Sequence, residues 1–495
     1  MKYVINKGFI TKNEVVTDRV IKVSEAFGLG VDDVKEFTLF DNFEIEIKEK
    51  DIVYITGESG SGKSVALREL GKQMKEQGLK VVNLSEVVDT INQDVAIIDN
   101  IGKDLNEALF LLSKAGLSDA FIWLRKYAQL SDGQKYRYAV AKALEQNADV
   151  ILADEFGAVL DRDTAKIVAY NIQKQIRRLN KIFICATTHT DLIEDLNPSV
   201  YIYKKYENGV ELQYKPYKEH DFSMAKDMVV EPGDKMDWDM LSKWHYKSHK
   251  TGARTHIFRM VNKKTQELVG TIVYGMPPLA LAGRNAYTPI YGGKSSREKC
   301  QKLNREVRII SRVVVTPKYR SLGLSAKLIK DSLPQTDMRF CELLSVMGNY
   351  NKFCEKAGMT KVQYNQKDIF KKLKEFIIEA GYEPGMMASD KYVRDMFLDL
   401  QVNNPELFTK IAVENFRRAT TGVRGGNIQK SKGLKKEDYE RIATMETTLE
   451  QHIQYMTKNA TSFGEKAYFI WENPNHEFNK NPQLDIEEGI ANIPQ

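Results

Sequence analysis

Lys63 and Ser64 close the stretch Gly57-Glu58-Ser59-Gly60-Ser61-Gly62-Lys63-Ser64, which fits G-x-x-x-x-G-K-[ST], a phosphate-binding loop. Gly57, Gly60 and Gly62 let backbone N–H groups turn inward on phosphate oxygens, and a helix N-terminus behind them adds its positive dipole end. Lys63 is expected to reach the β- and γ-phosphates, and the Ser64 hydroxyl to sit on Mg2+. A second pair, Asp154-Glu155, ends the apolar run Val150-Ile151-Leu152-Ala153. There Asp154 is placed to hold Mg2+ and Glu155 to polarise an attacking water, although the same pair also reads as a solvated turn. His189 follows another apolar run, and taken alone it reads as a core or surface histidine.

Such loops work only when strands and helices hold them. Ile52-Val53-Tyr54-Ile55 reads as a buried strand before the glycine-rich loop, and Leu67, Leu70 and Met74 after it keep the spacing of one helix face. Residues 40–48 alternate as a strand, residues 80–84 and 182–187 read as further strands, and residues 104–128 as helical. Residues 199–203 and 210–214 form a hairpin across Glu207-Asn208-Gly209. This alternation makes the first domain, residues 1–217, α/β.

In order along the chain stand the 57–64 loop, Leu130-Ser131-Asp132-Gly133-Gln134, Val150 to Glu155, Ala158-Val159-Leu160-Asp161 and His189. The series resembles the nucleotide-binding domain of ABC-type ATPases over about residues 35–215. The resemblance implies Walker A at 57–64, the signature at 130–134, Walker B at 150–155, the D-loop at Asp161 and the switch histidine at His189. It makes Glu155, His189 and Lys63 catalytic. It assigns Gly57, Gly60, Gly62, Lys63, Ser64, Ser131, Gly133, Gln134 and Asp161 to ATP, with Ser64 and Asp154 on Mg2+. Gln93 is the best match to the Q-loop, although it lies nearer Walker A than is usual. Asp132 stands where the family usually has glycine, so its side chain must point away from an opposing γ-phosphate. Phe27, Phe37 and Phe40 are candidates for the aromatic that stacks on adenine. The resemblance further implies an ATP-dependent head-to-tail homodimer, in which Ser131 and Gly133 serve the nucleotide held by the other copy.

Length and composition bound the rest. A chain of 495 residues should hold two or three domains. No apolar run approaches the ~20 residues of a membrane helix, which argues against a membrane-spanning role. Cys185, Cys300, Cys341 and Cys354 form no C-x-x-C pair and suggest reduced thiols in a cytoplasmic protein. The net charge of +6 permits a nucleic-acid partner without demanding one.

Residues 221–365 form a second domain. A strand at 309–315 leads through Thr316-Pro317-Lys318-Tyr319-Arg320-Ser321-Leu322-Gly323-Leu324-Ser325 into a helix, a second anion-binding corner. This segment is similar to the R-x-x-G-x-[GA] motif of GNAT acyltransferases, which binds the pyrophosphate of coenzyme A. The likeness implies acetyl-CoA or another acyl-CoA at Val315, Arg320, Gly323 and Ser325. Phe353-Cys354-Glu355-Lys356-Ala357-Gly358-Met359 looks like a downstream segment of that family, with Cys354 where many members carry a tyrosine acid. Tyr350 and Cys354 are then the nearest candidates for proton transfer, with Glu306 or Glu342 as a base. The layout resembles soluble ABC-type ATPases fused to a GNAT-like acetyltransferase domain, and its second half is distantly similar to the phage Mom DNA-modification proteins.

The expected architecture is therefore a P-loop ABC-type domain, a GNAT-like α+β domain, and a mostly helical region over residues 366–495. In that region Arg417, Arg418, Arg424, Lys430, Lys432, Lys435 and Lys436 lie in a glycine-broken segment without an acid. Such a segment can follow a nucleic-acid backbone, and it reads equally as a solvated linker. Two functions fit: an ATPase coupled to acyl transfer from acyl-CoA, or an ATPase switch whose GNAT-like module only binds.

Overall fold

The computed structural model describes residues 1–11, 15–31, 34–206, 209–245, 254–293, 296–365, 368–421, 436–460 and 462–480. Contacts divide the chain into two units, Met1–Gly275 with Ser311–Thr336, and Met276–Ile310 with Asp337–Gln495.

The first unit opens with an antiparallel pair, β1 (Lys2–Thr11) and β2 (Lys35–Glu46). A six-stranded sheet follows, built from β3 (Ile52–Gly57), β4 (Val81–Asn83), β5 (Val150–Ala153), β6 (Ile182–Ala186), β7 (Val200–Lys204) and β8 (Val210–Tyr214). Its order is β4-β5-β6-β3-β7-β8, parallel except for the final hairpin. Side-chain alternation explains the near-continuous apolar runs of the central strands. Ile52, Tyr54, Ile151, Phe183 and Cys185 enter one core, while Val53, Ile55, Val150, Leu152, Ile182 and Ile184 enter another. Strands covered on both faces need apolar residues at every position.

Helix α1 (Lys63–Glu76) buries Ala66, Leu67, Leu70 and Met74 in the second of these cores, together with Phe40 and Ile45 of β2. The other core is closed by α2 (Asp132–Glu145) and α3 (Arg162–Arg178), through Val140, Leu144, Val168 and Ile172. The helix expected over 104–128 breaks: Leu105–Lys114 is helical, Gly116 takes a φ of 81°, and only Ala120–Trp123 resumes.

The first unit also carries β9 (Met228–Pro232), β10 (Arg254–Asn262) and β11 (Leu268–Gly275), a run of antiparallel neighbours. Strand β12 (Val307–Val315) runs through both units, and its Ser311 Oγ donates to the Val273 carbonyl at 2.9 Å. Helix α4 (Leu324–Ser332) follows it, with Leu324, Leu328 and Ile329 buried.

In the second unit β12 pairs in parallel with β13 (Phe340–Ser345) over Val307 to Ile310 only. Strand β14 (Thr360–Val362) does not pair with β13. Strand β15 (Ala467–Glu472) lies between them, antiparallel to both. The region expected to be mostly helical thus also supplies an inner strand. Its helices Lys371–Glu379, Asp390–Asn403, Pro405–Thr421 and Leu449–Ala460 share one core around Leu373, Phe397, Ile411 and Met456. Among the described residues no helix is long and apolar enough to cross a membrane.

Candidate nucleotide site

Strands β5, β6 and β3 are adjacent and parallel, with Ala153 opposite Cys185 and Ile55 opposite Ala186. The segments after each strand therefore leave the sheet at one edge, the carboxyl edge where ligands bind in open α/β sheets. They carry Gly57 to Ser64 after β3, Asp154 and Glu155 after β5, and His189 after β6. Gly57 lies against β7, paired with Lys204. A Cβ at Gly57 would lie 2.0 Å from the Lys204 carbonyl oxygen, and φ there is 138°, so only glycine fits.

The loop then folds around its own lysine. Lys63 Nζ donates to the carbonyls of Gly57 at 3.1 Å and Glu58 at 2.6 Å. Burial draws the ammonium below its usual range, partly countered by Asp154. Ser64 Oγ donates to Asp154 Oδ1 at 2.8 Å, and the same oxygen accepts the Glu155 N–H at 3.1 Å. Two hard oxygens thus converge at the head of α1, a donor set that suits Mg2+. Glu155 is exposed with a φ of 49°. The backbone beyond it is fixed by Phe156 N–H to the Ala186 carbonyl (3.0 Å) and by Gly157 N–H to the Tyr136 hydroxyl (3.1 Å). The half-buried His189 donates its N–H to Thr187 Oγ1 at 3.2 Å, and its carbonyl accepts the Tyr54 hydroxyl.

The remaining candidates serve their own segments. Ser131 caps α2, and Gln134 Oε1 accepts the Ser131 N–H at 3.0 Å. Asp132 is exposed in the first turn, where the helix dipole favours an acid. Gly133 packs near Leu160, 3.4 Å from where a Cβ would stand. Asp161 caps α3 from the Thr164 N–H at 3.0 Å. Burial alone would raise its carboxyl, but the Thr164 hydrogen bonds, Lys318 and Arg137 outweigh that and hold it low. Among the described residues none of Ser131, Gly133, Gln134 and Asp161 hydrogen-bonds to the 57–64 loop. Gln93 is exposed in the bend after Ile91, beside Asn92, whose Oδ1 accepts the Asp94 N–H at 2.9 Å.

Of the aromatic candidates, Phe40 is fully buried and cannot stack on a base, whereas Phe27 and Phe37 are 76% and 40% exposed. Two neighbours of the loop have no local signal in the sequence. Leu39 Cδ1 lies 3.0 Å from a Cβ position at Gly62, and the Tyr206 hydroxyl 3.9 Å from one at Gly60.

The ABC transporter family profile matches residues 40–158. Residues 40–158 are an ABC transporter ATPase domain. Over 191 residues the chain is 27% identical to the methionine import ATP-binding protein MetN of Clostridium tetani, covering 32% of this chain and 59% of the relative. It thus spans less than two thirds of that protein's length. An uncharacterized ABC transporter ATP-binding protein of Haemophilus influenzae is 28% identical over 190 residues, covering 31% of this chain and 78% of its own. Among solved structures, the dimeric bacterial cassette MJ0796 aligns with a TM-score of 0.30 at 23% identity, covering 36% of this chain and 91% of that one. The ABC domain so defined contains the 57–64 loop, the 130–134 turn and the Asp154-Glu155 pair.

The second anion corner lies beyond the matched residues. Arg320 donates from Nε to the Val315 carbonyl (3.0 Å), from Nη1 to Ser118 (2.7 Å) and from Nη2 to Trp244 (3.2 Å). Gly323 caps α4 at a φ of 81° with open space around it, and Ser325 is half-buried in the first turn. In the second unit Tyr350 is 51% exposed, whereas Cys354 is fully buried and burial pushes its thiol well up. The two candidate bases are structural. Glu342 takes Arg284 (3.0 and 2.5 Å) and the Tyr468 hydroxyl (2.9 Å), all buried. Glu306 takes the Tyr291 hydroxyl at 2.7 Å and Arg339 at 3.4 Å. A carboxylate so enclosed has no route to a substrate proton. Of the basic segment, residues 422–435 lie outside the described residues, while Arg417 and Arg418 both pair with Glu414.

Proposed function

We propose that the chain binds and hydrolyses ATP at the carboxyl edge of its first sheet, and that this cycle drives the segments attached to the ABC domain. The observation that carries this reading is the 2.8 Å contact between Ser64 and Asp154, with Glu155 next in sequence. Ser64 and Asp154 would hold Mg2+, which when bound neutralises phosphate charge. Lys63 binds the phosphates, Glu155 orients the water, and His189 stands at the neighbouring strand end to contact the γ-phosphate. In this reading Ser131 and Gly133 of the 130–134 turn serve the nucleotide of a second copy in a head-to-tail dimer. The test is turnover of Mg-ATP with Lys63→Ala and Glu155→Gln. Loss in both, with nucleotide retained only by Glu155→Gln, is expected; wild-type-like turnover in either refutes the reading.

For the appended module, a binding role is favoured over acyl transfer. Acyl-CoA at the corner would need the Arg320 guanidinium, and three carbonyls already engage it. The buried Cys354 offers no accessible acid.

A further inference from the structure

The segment that bears the second anion corner grips the ATPase at two points, and every contact lies within the first unit. At the first, Lys318 Nζ meets Asp163 Oδ2 at 2.6 Å, in the opening turn of α3 just after the capping Asp161. The ion pair is about one-third exposed on each side. Glu267 lies 3.7 Å from the same ammonium and accepts the buried Tyr319 hydroxyl at 2.7 Å, so the lysine is held from both sides. Burial by itself would lower this ammonium, but its bonds to Asp163 and Tyr319 prevail and hold it above its ordinary range.

At the second point Arg320 Nη1 donates to the Ser118 carbonyl. Two residues earlier in the same turn, the Gly116 carbonyl accepts Arg137 Nη1 at 2.9 Å, and Arg137 Nε donates to the Gly133 carbonyl at 3.1 Å. One arginine thus ties Gly133 to the 116–118 turn, and another ties that turn to the corner. Asn171 of α3 adds a weaker contact, 3.4 Å to Ser321 Oγ. The link is contiguous, from Gly133 through Arg137 and the 116–118 turn to Arg320.

We propose that Lys318 and Arg320 are positioning residues of the ATPase, supplied from outside the ABC domain, which set the placement of the Asp161 cap and the Gly133 turn for hydrolysis. Neither residue lies among those that bind phosphate in the function proposed above, on which this inference rests. Replacing them should therefore lower kcat and leave nucleotide affinity alone.

The test is steady-state ATP turnover of the full chain with Lys318→Met, Lys318→Arg, Asp163→Asn and the Lys318→Met/Asp163→Asn double variant. Thermal unfolding and equilibrium nucleotide binding are measured on each. Expected are a roughly three- to tenfold fall in kcat for Lys318→Met, with KM and nucleotide affinity unchanged. Lys318→Arg should restore most of the rate, and the double variant should be no slower than the slower single one. Wild-type kcat in both Lys318→Met and Asp163→Asn would overturn the proposal, and so would a loss that tracks melting temperature alone. A wild type that does not turn over ATP would instead overturn the function itself.

Discussion

The first unit builds the same local device twice, at Gly57 to Ser64 and at Arg320 to Ser325. Each runs from a strand into a helix whose N-cap is a left-handed glycine, Gly62 with φ 97° and Gly323 with φ 81°. They differ in where the cation goes. Lys63 curls onto carbonyls of its own loop, beside the Ser64 and Asp154 oxygens. Arg320 reaches out to Ser118 and Trp244. A helix N-terminus with a glycine supplies partial positive charge in both places, but only the surroundings turn it into a site for phosphate chemistry.

The strongest way to break this contrast is at Glu155. Glu155→Gln should cut ATP turnover by about 100- to 1000-fold in a coupled-enzyme assay while retaining ATP and accumulating dimer in light scattering. If it stays monomeric over a wide concentration range, the head-to-tail arrangement is wrong for this chain. Next comes backbone tolerance. Gly57→Ala forces a Cβ into the Lys204 backbone and should cost more than ~3 kcal/mol in urea unfolding, whereas Gly323→Ala meets open space and should cost only the ~1–2 kcal/mol of a left-handed residue. Equal costs would mean that the first loop is less tightly built than it looks.

Ligand selectivity sharpens the comparison further. Calorimetry of the wild type should show ATP binding and no acetyl-CoA binding tighter than about millimolar, because Arg320 is engaged. Tight acetyl-CoA binding that is lost in Gly323→Glu would restore the acyl-CoA reading. The smallest effect concerns polyanions too long for either corner. Changing Arg424, Lys430, Lys432 and Lys435 to Ser should weaken DNA or RNA binding and reduce the magnitude of the salt slope by about 3–4. An unchanged slope would make the segment a solvated linker.

What could be read from the chain alone was whatever chemistry is contiguous. The 57–64 loop and Asp154-Glu155 each announce themselves over a few residues, and the strand periods around them supply the α/β class. Contacts between distant segments were not legible. Nothing in the local sequence of Ala467–Glu472 says that it will insert between β13 and β14, because the apolar run of five, Ala467 to Trp471, carries no address. Phe40 reads as a candidate to stack on adenine until β2 folds it under α1. Arg320 matches an anion motif, and only the tertiary structure brings the Ser118 carbonyl within its reach.

The left-handed backbone of Glu155 carries a consequence of its own. A residue with a Cβ at φ 49° sits where glycine would be more comfortable, at a cost on the order of 1 kcal/mol. Glu155→Gly should therefore unfold at higher urea than the wild type while losing turnover. Stability and activity would then move in opposite directions at a single position. A library selected only for robust folding would erase this carboxylate, and its persistence in a natural chain would mark a position where selection has favoured work over durability.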